Sequence, residues 1–215
     1  EVIHDIINVI QKVKRLTFNV ESSTLNREAL LLELARIPGV YVPRFYQPHY
    51  MEDGTVARME TLAEGISNPI VKRIVAKLPP PPTHFIVPNI DVVHNRVSVE
   101  IMRGCTRGCR FCHAGMITRP VRERSVDEVL DAAEAAIQYS GFEDLAFLSL
   151  SSSDYTHILE LVTKAAERFE GKHLNIGLPS LRIESVSIDL MEKIRENGRA
   201  SGFTLAPEAA TERMR

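Results

Sequence analysis

The chain is predicted to be an α/β protein whose second half is built from parallel strands and crossover helices. Three observations predict this. From residue 97 onward, short apolar runs alternate with amphipathic helical stretches, at a spacing of roughly 30 residues per strand–helix unit. Each helical stretch opens on Ser or Asp and closes at a glycine. The first apolar run leads directly into a glycine-rich loop that holds Cys105, Cys109 and Cys112. Parallel strands need such helices as connections, and the crossovers are right-handed. Four strands suit either an open doubly wound sheet or the first half of a βα barrel. In both, ligands gather at the carboxyl ends of the strands.

Taken in order, residues 2–13 place Val2, Ile3, Ile6, Ile7, Ile10 and Val13 at helical spacing. Asn26 is placed to cap a second helix, REALLLELARI, which Pro38-Gly39 ends. VYVPRFY and TVARMETL then flank Asp53-Gly54, a hairpin turn signal. Pro79–Pro82 form a stiff extended strap. These features define a helix–hairpin linking segment over residues 1–96, with the strand–helix half over 97–215. In that half, VSVEIM (97–102) is the first strand. SVDEVLDAAEAAIQYSG follows as a helix, with Ser125 and Glu128 in capping-box spacing and Gly141 as the stop. DLAFLSL (144–150) is the second strand and Asp154 to Phe169 the second helix. HLNIGL (173–178) is the third strand, Ser187 caps IDLMEKIREN, and GFTLA (202–206) is the fourth strand. The chain opens on Glu1 and closes on ATERMR, the first turn of a helix. Both ends read as cuts in a longer protein.

Composition narrows the function classes. Of the 215 residues 44% are hydrophobic and 25% charged, with a net charge of −2. These are values of an ordinary globular chain and give no general attraction for polyanions. No apolar run reaches the ~20 residues of a membrane span, and the first fifteen residues, which mix charges with Ile and Val, do not read as a signal peptide. Three cysteines make an odd set, unsuited to a disulfide framework and fitting a reducing cytoplasm.

The spacing C-x3-C-x2-C lets one loop wrap one centre, and thiolates are soft ligands suited to iron–sulfur clusters, zinc or copper(I). Gly104, Gly108 and Gly115 supply the backbone freedom. Three readings compete. The thiols could be plain core cysteines, although the run is polar and arginine-rich. They could form a zinc knuckle with His113 or a distant histidine, a non-catalytic module contacting protein or RNA. Zinc sites of that kind usually pair two knuckles, however, and only one is present. They could instead hold a four-iron cluster, which normally takes four cysteines. With three, one iron keeps an open position for a substrate or cosubstrate.

C-x3-C-x-Phe-C, with Phe111 before the last cysteine and directly after a first strand, resembles the signature of the radical S-adenosylmethionine (radical SAM) superfamily. The resemblance extends through VHNRVSVEIMRGCTRGCRFCHAGMITRPVRERS and TLAPEAATERMR to a bacterial family of such proteins that carry an upstream cobalamin-binding-type domain. IPGVYVPRFY is similar to the segment joining those two domains. The likeness implies a partial βα barrel of this type, truncated after about four strands. It implies a [4Fe–4S] cluster on Cys105, Cys109 and Cys112, and S-adenosylmethionine cleaved reductively to a 5′-deoxyadenosyl radical. An electron donor such as flavodoxin or ferredoxin is implied as partner. The D-x-H-x-x-G motif of cobalamin binding is absent, so any cobalamin would enter through a domain outside this chain.

The same likeness assigns roles at the later strand ends. Ser151 and Ser152, with Ser153 and Asp154, stand where an amino-group-binding Gly-Gly-Glu-like turn is usual; helix capping is the alternative role for Ser153 or Asp154. Ser180 and Arg182 are placed for the ribose or the methionyl carboxylate, a guanidinium being matched to the latter. Turn and surface roles are their alternatives. Glu208 is placed for ribose hydroxyls or the amino group, or for a helix dipole. Phe111 and the backbone of His113 are placed against adenine. Six arginines from Arg103 to Arg124 face one acid, Glu123. They are placed to offset a reduced, negatively charged cluster, to stand as solvated surface, or to face an anionic substrate. No aromatic interleaving indicates single-stranded nucleic acid, and the substrate is not legible.

Overall fold

The computed structural model describes residues 2–16, 23–90, 92–196, 205–207 and 209–214. The chain separates into two compact units, Glu1–Val75 and Ala76–Arg215. The division falls before the four prolines, which belong to the second unit.

In the first unit, helix α1 (Val2–Leu16) and helix α2 (Ser23–Ala35) precede a hairpin of β1 (Tyr46–Tyr50) and β2 (Val56–Thr61). Helix α2 starts three residues before Asn26, which therefore lies within its first turn and not at its cap. The hairpin is antiparallel, Tyr46 opposite Thr61. Asp53-Gly54 forms its tip as expected. The Asp53 carboxylate accepts from the Thr55 backbone N–H at 2.9 Å and from its hydroxyl at 2.7 Å, and Gly54 takes φ +81°. The first strand begins later than VYVPRFY suggests. Pro43 opens a short 3-10 turn over Pro43–Phe45, because its fixed φ and missing N–H suit a turn better than a ladder.

The second unit carries the parallel sheet. Strands β3 (Val97–Glu100), β6 (Asp144–Leu148) and β7 (Asn175–Gly177) lie side by side in that order, all parallel. Strand β4 (Met102–Arg103) pairs antiparallel with β5 (Arg122–Glu123), and β8 (Leu181–Arg182) pairs parallel with β9 (Leu205–Ala206). The helices are α3 (His113–Ile117), α4 (Val126–Ser140), α5 (Ile158–Arg168) and α6 (Ile188–Glu196). The architecture is thus mixed α/β on a parallel sheet. The expected strand 97–102 is split at Ile101, whose N–H donates to Leu148 O at 2.9 Å and whose carbonyl accepts from Arg124 N at 3.0 Å. Ile101 is the hinge at which the chain leaves the parallel sheet for the base of the cysteine loop.

Helix α4 has both predicted stops. The Ser125 hydroxyl accepts from Glu128 N at 3.2 Å, and Gly141 takes φ +70°, its N–H returning to Ile137 O at 2.8 Å. Its small residues Ala133 and Ala136 are buried with Val129, letting the helix backbone approach Val97, Val99 and Phe147 of the sheet. Leu161, Val162 and Ala165 of α5 and Leu190 of α6 complete the core. Helix α5 starts at Ile158, not at Asp154, after a separate 3-10 turn over Ser152–Asp154. Ser187 caps α6 by accepting from Leu190 N at 3.1 Å. Among the described residues, no helix is long and apolar enough to cross a membrane.

Candidate functional site

The carboxyl end of β3 delivers the chain into the cysteine loop. At its base Gly104 takes φ +100°, and a Cβ there would lie 3.0 Å from Pro120 O and from Val121 Cα. Only glycine fits that conformation and approach. Across the loop, Cys112 N donates to Cys109 O at 3.0 Å, closing a tight turn. Cys112 then caps α3, its Sγ accepting from Gly115 N at 3.4 Å, while Cys105 Sγ accepts from Arg107 N at 3.4 Å. Gly115 lies between the first and last thiols: a Cβ on it would stand 3.8 Å from Cys105 Cβ and 3.8 Å from Cys112 Sγ. The returning strand is held by Arg119, whose guanidinium donates to Arg107 O at 3.0 Å, and by Arg122, which donates to Thr118 O at 3.1 Å. All three thiols are free and half-buried.

The carboxyl end of β6 leads into the serine turn. Ser151 and Ser152 are fully buried and Ser153 nearly so. The Ser151 hydroxyl donates to Asp154 at 2.8 Å, and the Ser152 hydroxyl contacts Ser149 at 3.1 Å and Phe147 O at 3.4 Å. Ser153 Oγ contacts Ser185 Oγ at 2.7 Å and accepts from Arg182 N at 3.1 Å. Ser152 N donates to Ser180 O at 3.1 Å. The turn is therefore a hub joining the end of β6 to β8. Neither Ser153 nor Asp154 caps α5; His157 stands at that position.

The structure also joins this hub to the cysteine loop. Arg107, between Cys105 and Cys109, forks onto Asp154 with bonds of 3.0 and 2.8 Å. That guanidinium, with burial opposing and Ser151 assisting, holds the Asp154 carboxyl below its ordinary range, and the pairing pushes Arg107 upward in return. Arg182 reaches the loop from β8: its Nη1 lies 3.9 Å from Cys109 Sγ and its Nη2 bonds Glu184 at 3.1 Å. Ser180 is exposed and takes φ +63°, an uncommon conformation for a residue with a side chain. Phe111 is 82% exposed on the loop, and His113 is exposed beside it. Glu208 lies outside the described residues.

Sequence reasoning placed the loop ends together but did not foresee the Arg107–Asp154 pair. The signal available was weak: an arginine between two ligand positions and a carboxylate at the next strand end. Much of the arginine charge is also matched internally. Arg103 forks onto Glu100 at 2.8 and 2.7 Å, and buried Arg124 bonds Glu128 at 2.6 Å.

The family model of the radical SAM superfamily matches residues 99–215. This chain belongs to the radical SAM superfamily. An uncharacterized protein, MJ0966, of Methanocaldococcus jannaschii is 34% identical over 117 residues, which are 54% of this chain and 24% of that protein. The chain thus spans about a quarter of that relative's length. Radical SAM membership implies a [4Fe–4S] cluster and S-adenosylmethionine, and the donor set fits the cluster: three unpaired-sulfur cysteines, partly exposed, on one glycine-shaped loop. Among the described residues no three His, Cys, Asp or Glu side chains already converge on one point, so the fit rests on the number of thiols and their placement along the loop.

Proposed function

We propose that this chain carries the cluster and cosubstrate site of a radical SAM enzyme. The observation that carries the reading is the donor count: three free thiols on the loop after the first parallel strand, and no fourth cysteine in the chain. Cys105, Cys109 and Cys112 would hold the [4Fe–4S] cluster. When bound, the cluster would supply the electron for reductive cleavage of S-adenosylmethionine to methionine and a 5′-deoxyadenosyl radical, the chemistry general to the superfamily.

The chain's own residues define the surroundings. Arg182 combines a position within 3.9 Å of Cys109 Sγ with a charge suited to the methionyl carboxylate. Phe111 offers an exposed ring beside the last cysteine for stacking on adenine. Ser180 brings an exposed hydroxyl at the end of the third strand. Ser151 and Ser152 are buried with their hydroxyls engaged, so their part is to shape the turn. The parallel sheet is consistent with a partial βα barrel. The substrate is left open. A small acidic electron-transfer protein of the flavodoxin or ferredoxin class is the fitting reductant, and a reducing cytoplasm the fitting compartment for free thiols. A part for cobalamin rests on the sequence resemblance alone.

Anaerobic reconstitution with iron and sulfide tests the reading. It is expected to yield a brown protein with about four iron atoms per chain, and 5′-deoxyadenosine when dithionite and S-adenosylmethionine are added. Cys109→Ala is expected to lose both. A colourless protein holding one tight zinc, with no 5′-deoxyadenosine, would replace this reading with the binding module.

A further inference from the structure

An ion pair fastens the cysteine loop to the turn after β6. Arg107 stands two residues after Cys105 and two before Cys109. Its side chain forks onto Asp154 at 3.0 and 2.8 Å. Its backbone N–H reaches Cys105 Sγ at 3.4 Å, and its carbonyl is held by Arg119 at 3.0 Å. Asp154 is the more deeply set partner, its side chain 7% exposed against 39% for Arg107. It also accepts from Ser151 at 2.8 Å. A carboxylate with three donors already on it is poorly placed to receive the amino group of a cosubstrate. The same turn fastens the other flank, because Ser153 Oγ accepts from Arg182 N at 3.1 Å and Arg182 Nη1 lies 3.9 Å from Cys109 Sγ.

We propose that Arg107 and Asp154 are a positioning pair, which locks the cysteine loop to the end of β6 and so presets the thiols for a cluster. The inference rests on the cluster reading for its purpose, and on the ion pair for its geometry. A forked, half-buried guanidinium–carboxylate pair fixes orientation as well as distance. Groups behind metal ligands commonly set the affinity of the ligands themselves.

The test compares Asp154→Asn, Arg107→Gln and the double variant in the 215-residue chain. In the apoprotein, well below its melting temperature, iodoacetamide alkylation of Cys105 is followed by mass spectrometry. Either single variant is expected to raise the rate by about tenfold, as the loss of charge-assisted bonds implies, and the double variant no further, because the two side chains act as one unit. In the reconstituted protein, iron loss to a chelator is expected to speed up by about 10- to 100-fold. Should Asp154→Asn not fold, Arg107→Lys keeps the charge, removes the fork, and is expected to behave the same way. Unchanged alkylation with a lowered melting temperature would reduce the pair to a general stabilising contact and overturn the proposal. Additive effects in the double variant would overturn it too. If the wild-type chain took up no cluster, the cluster reading would fall, while the alkylation rates would still decide whether the pair locks the loop.

Discussion

Tyr155→Phe removes one atom from the core beside the serine turn. Tyr155 follows the serine turn, is 1% exposed, and donates through its hydroxyl to Arg124 O at 2.8 Å. Burial pushes its phenol up to about 12, so it remains a neutral donor across the working pH range. Arg124 is itself buried and lies on the chain entering α4. The bond therefore ties the end of β6 to the start of that helix. Deleting the hydroxyl forfeits a net hydrogen bond of about 1 kcal/mol and leaves a buried carbonyl short of a partner, which adds about as much again. The expected loss is about 2 kcal/mol, or roughly 4–8 °C in Tm for a chain of this size. The chain has no tryptophan, so urea unfolding is followed by far-UV circular dichroism. The midpoint should fall while the m value holds, as it does when stability alone changes. Tyr139→Phe is the control, at a residue 53% exposed, where a change within about 0.5 kcal/mol is expected. Equal effects of the two substitutions would refute the reasoning.

Gly104→Ala forces a Cβ into φ +100° and to 3.0 Å from Pro120 O. It is expected to lower Tm by several degrees and cut iron retention sharply, both measured on the reconstituted protein; wild-type retention would mean the base of the loop tolerates displacement. Ser125→Ala removes the hydroxyl that accepts from Glu128 N, and a loss of about 1 kcal/mol in urea unfolding is expected. The Asp154 carboxyl is depressed by Arg107 in the folded chain. Its contribution to stability is thus fully present above the ordinary aspartate value of about 3.9 and is lost as pH falls through the lower folded value. The Tm gap between wild type and Asp154→Asn should accordingly be constant near neutrality and close below about pH 4; a gap that widens on acidification would contradict the pairing.

Features set by neighbouring residues could be read from the sequence, and those set across the fold could not. Ser125 and Gly141 delimit α4 because each acts within one helical turn. Asp53-Gly54 marks the hairpin tip for the same reason. The cysteine loop is likewise local, three cysteines within eight positions. The helix expected from Asp154 starts at Ile158 because the Asp154 side chain is drawn away to Arg107, 47 residues earlier, leaving no cap for α5. The strand expected through residue 102 breaks at Ile101 because its backbone serves Leu148 and Arg124, on two different segments. The serines of the turn look available for a ligand in sequence, yet the Ser151 and Ser152 hydroxyls are engaged within the turn by Asp154, Ser149 and Phe147 O, and the bonds of Ser152 N to Ser180 O and of Ser153 to Arg182 N form only once the third strand end is in place. Arg182 was legible as a strand-end cation, and its approach to Cys109 was not.

Electron paramagnetic resonance of the reduced, anaerobically reconstituted chain tests the central claim most directly, with S-adenosylmethionine added to one of two matched samples. On the proposed reading three thiolates would leave one iron corner open, which predicts a four-iron signal whose g values shift when the cosubstrate is added. A four-iron signal that is identical in the two samples would contradict it.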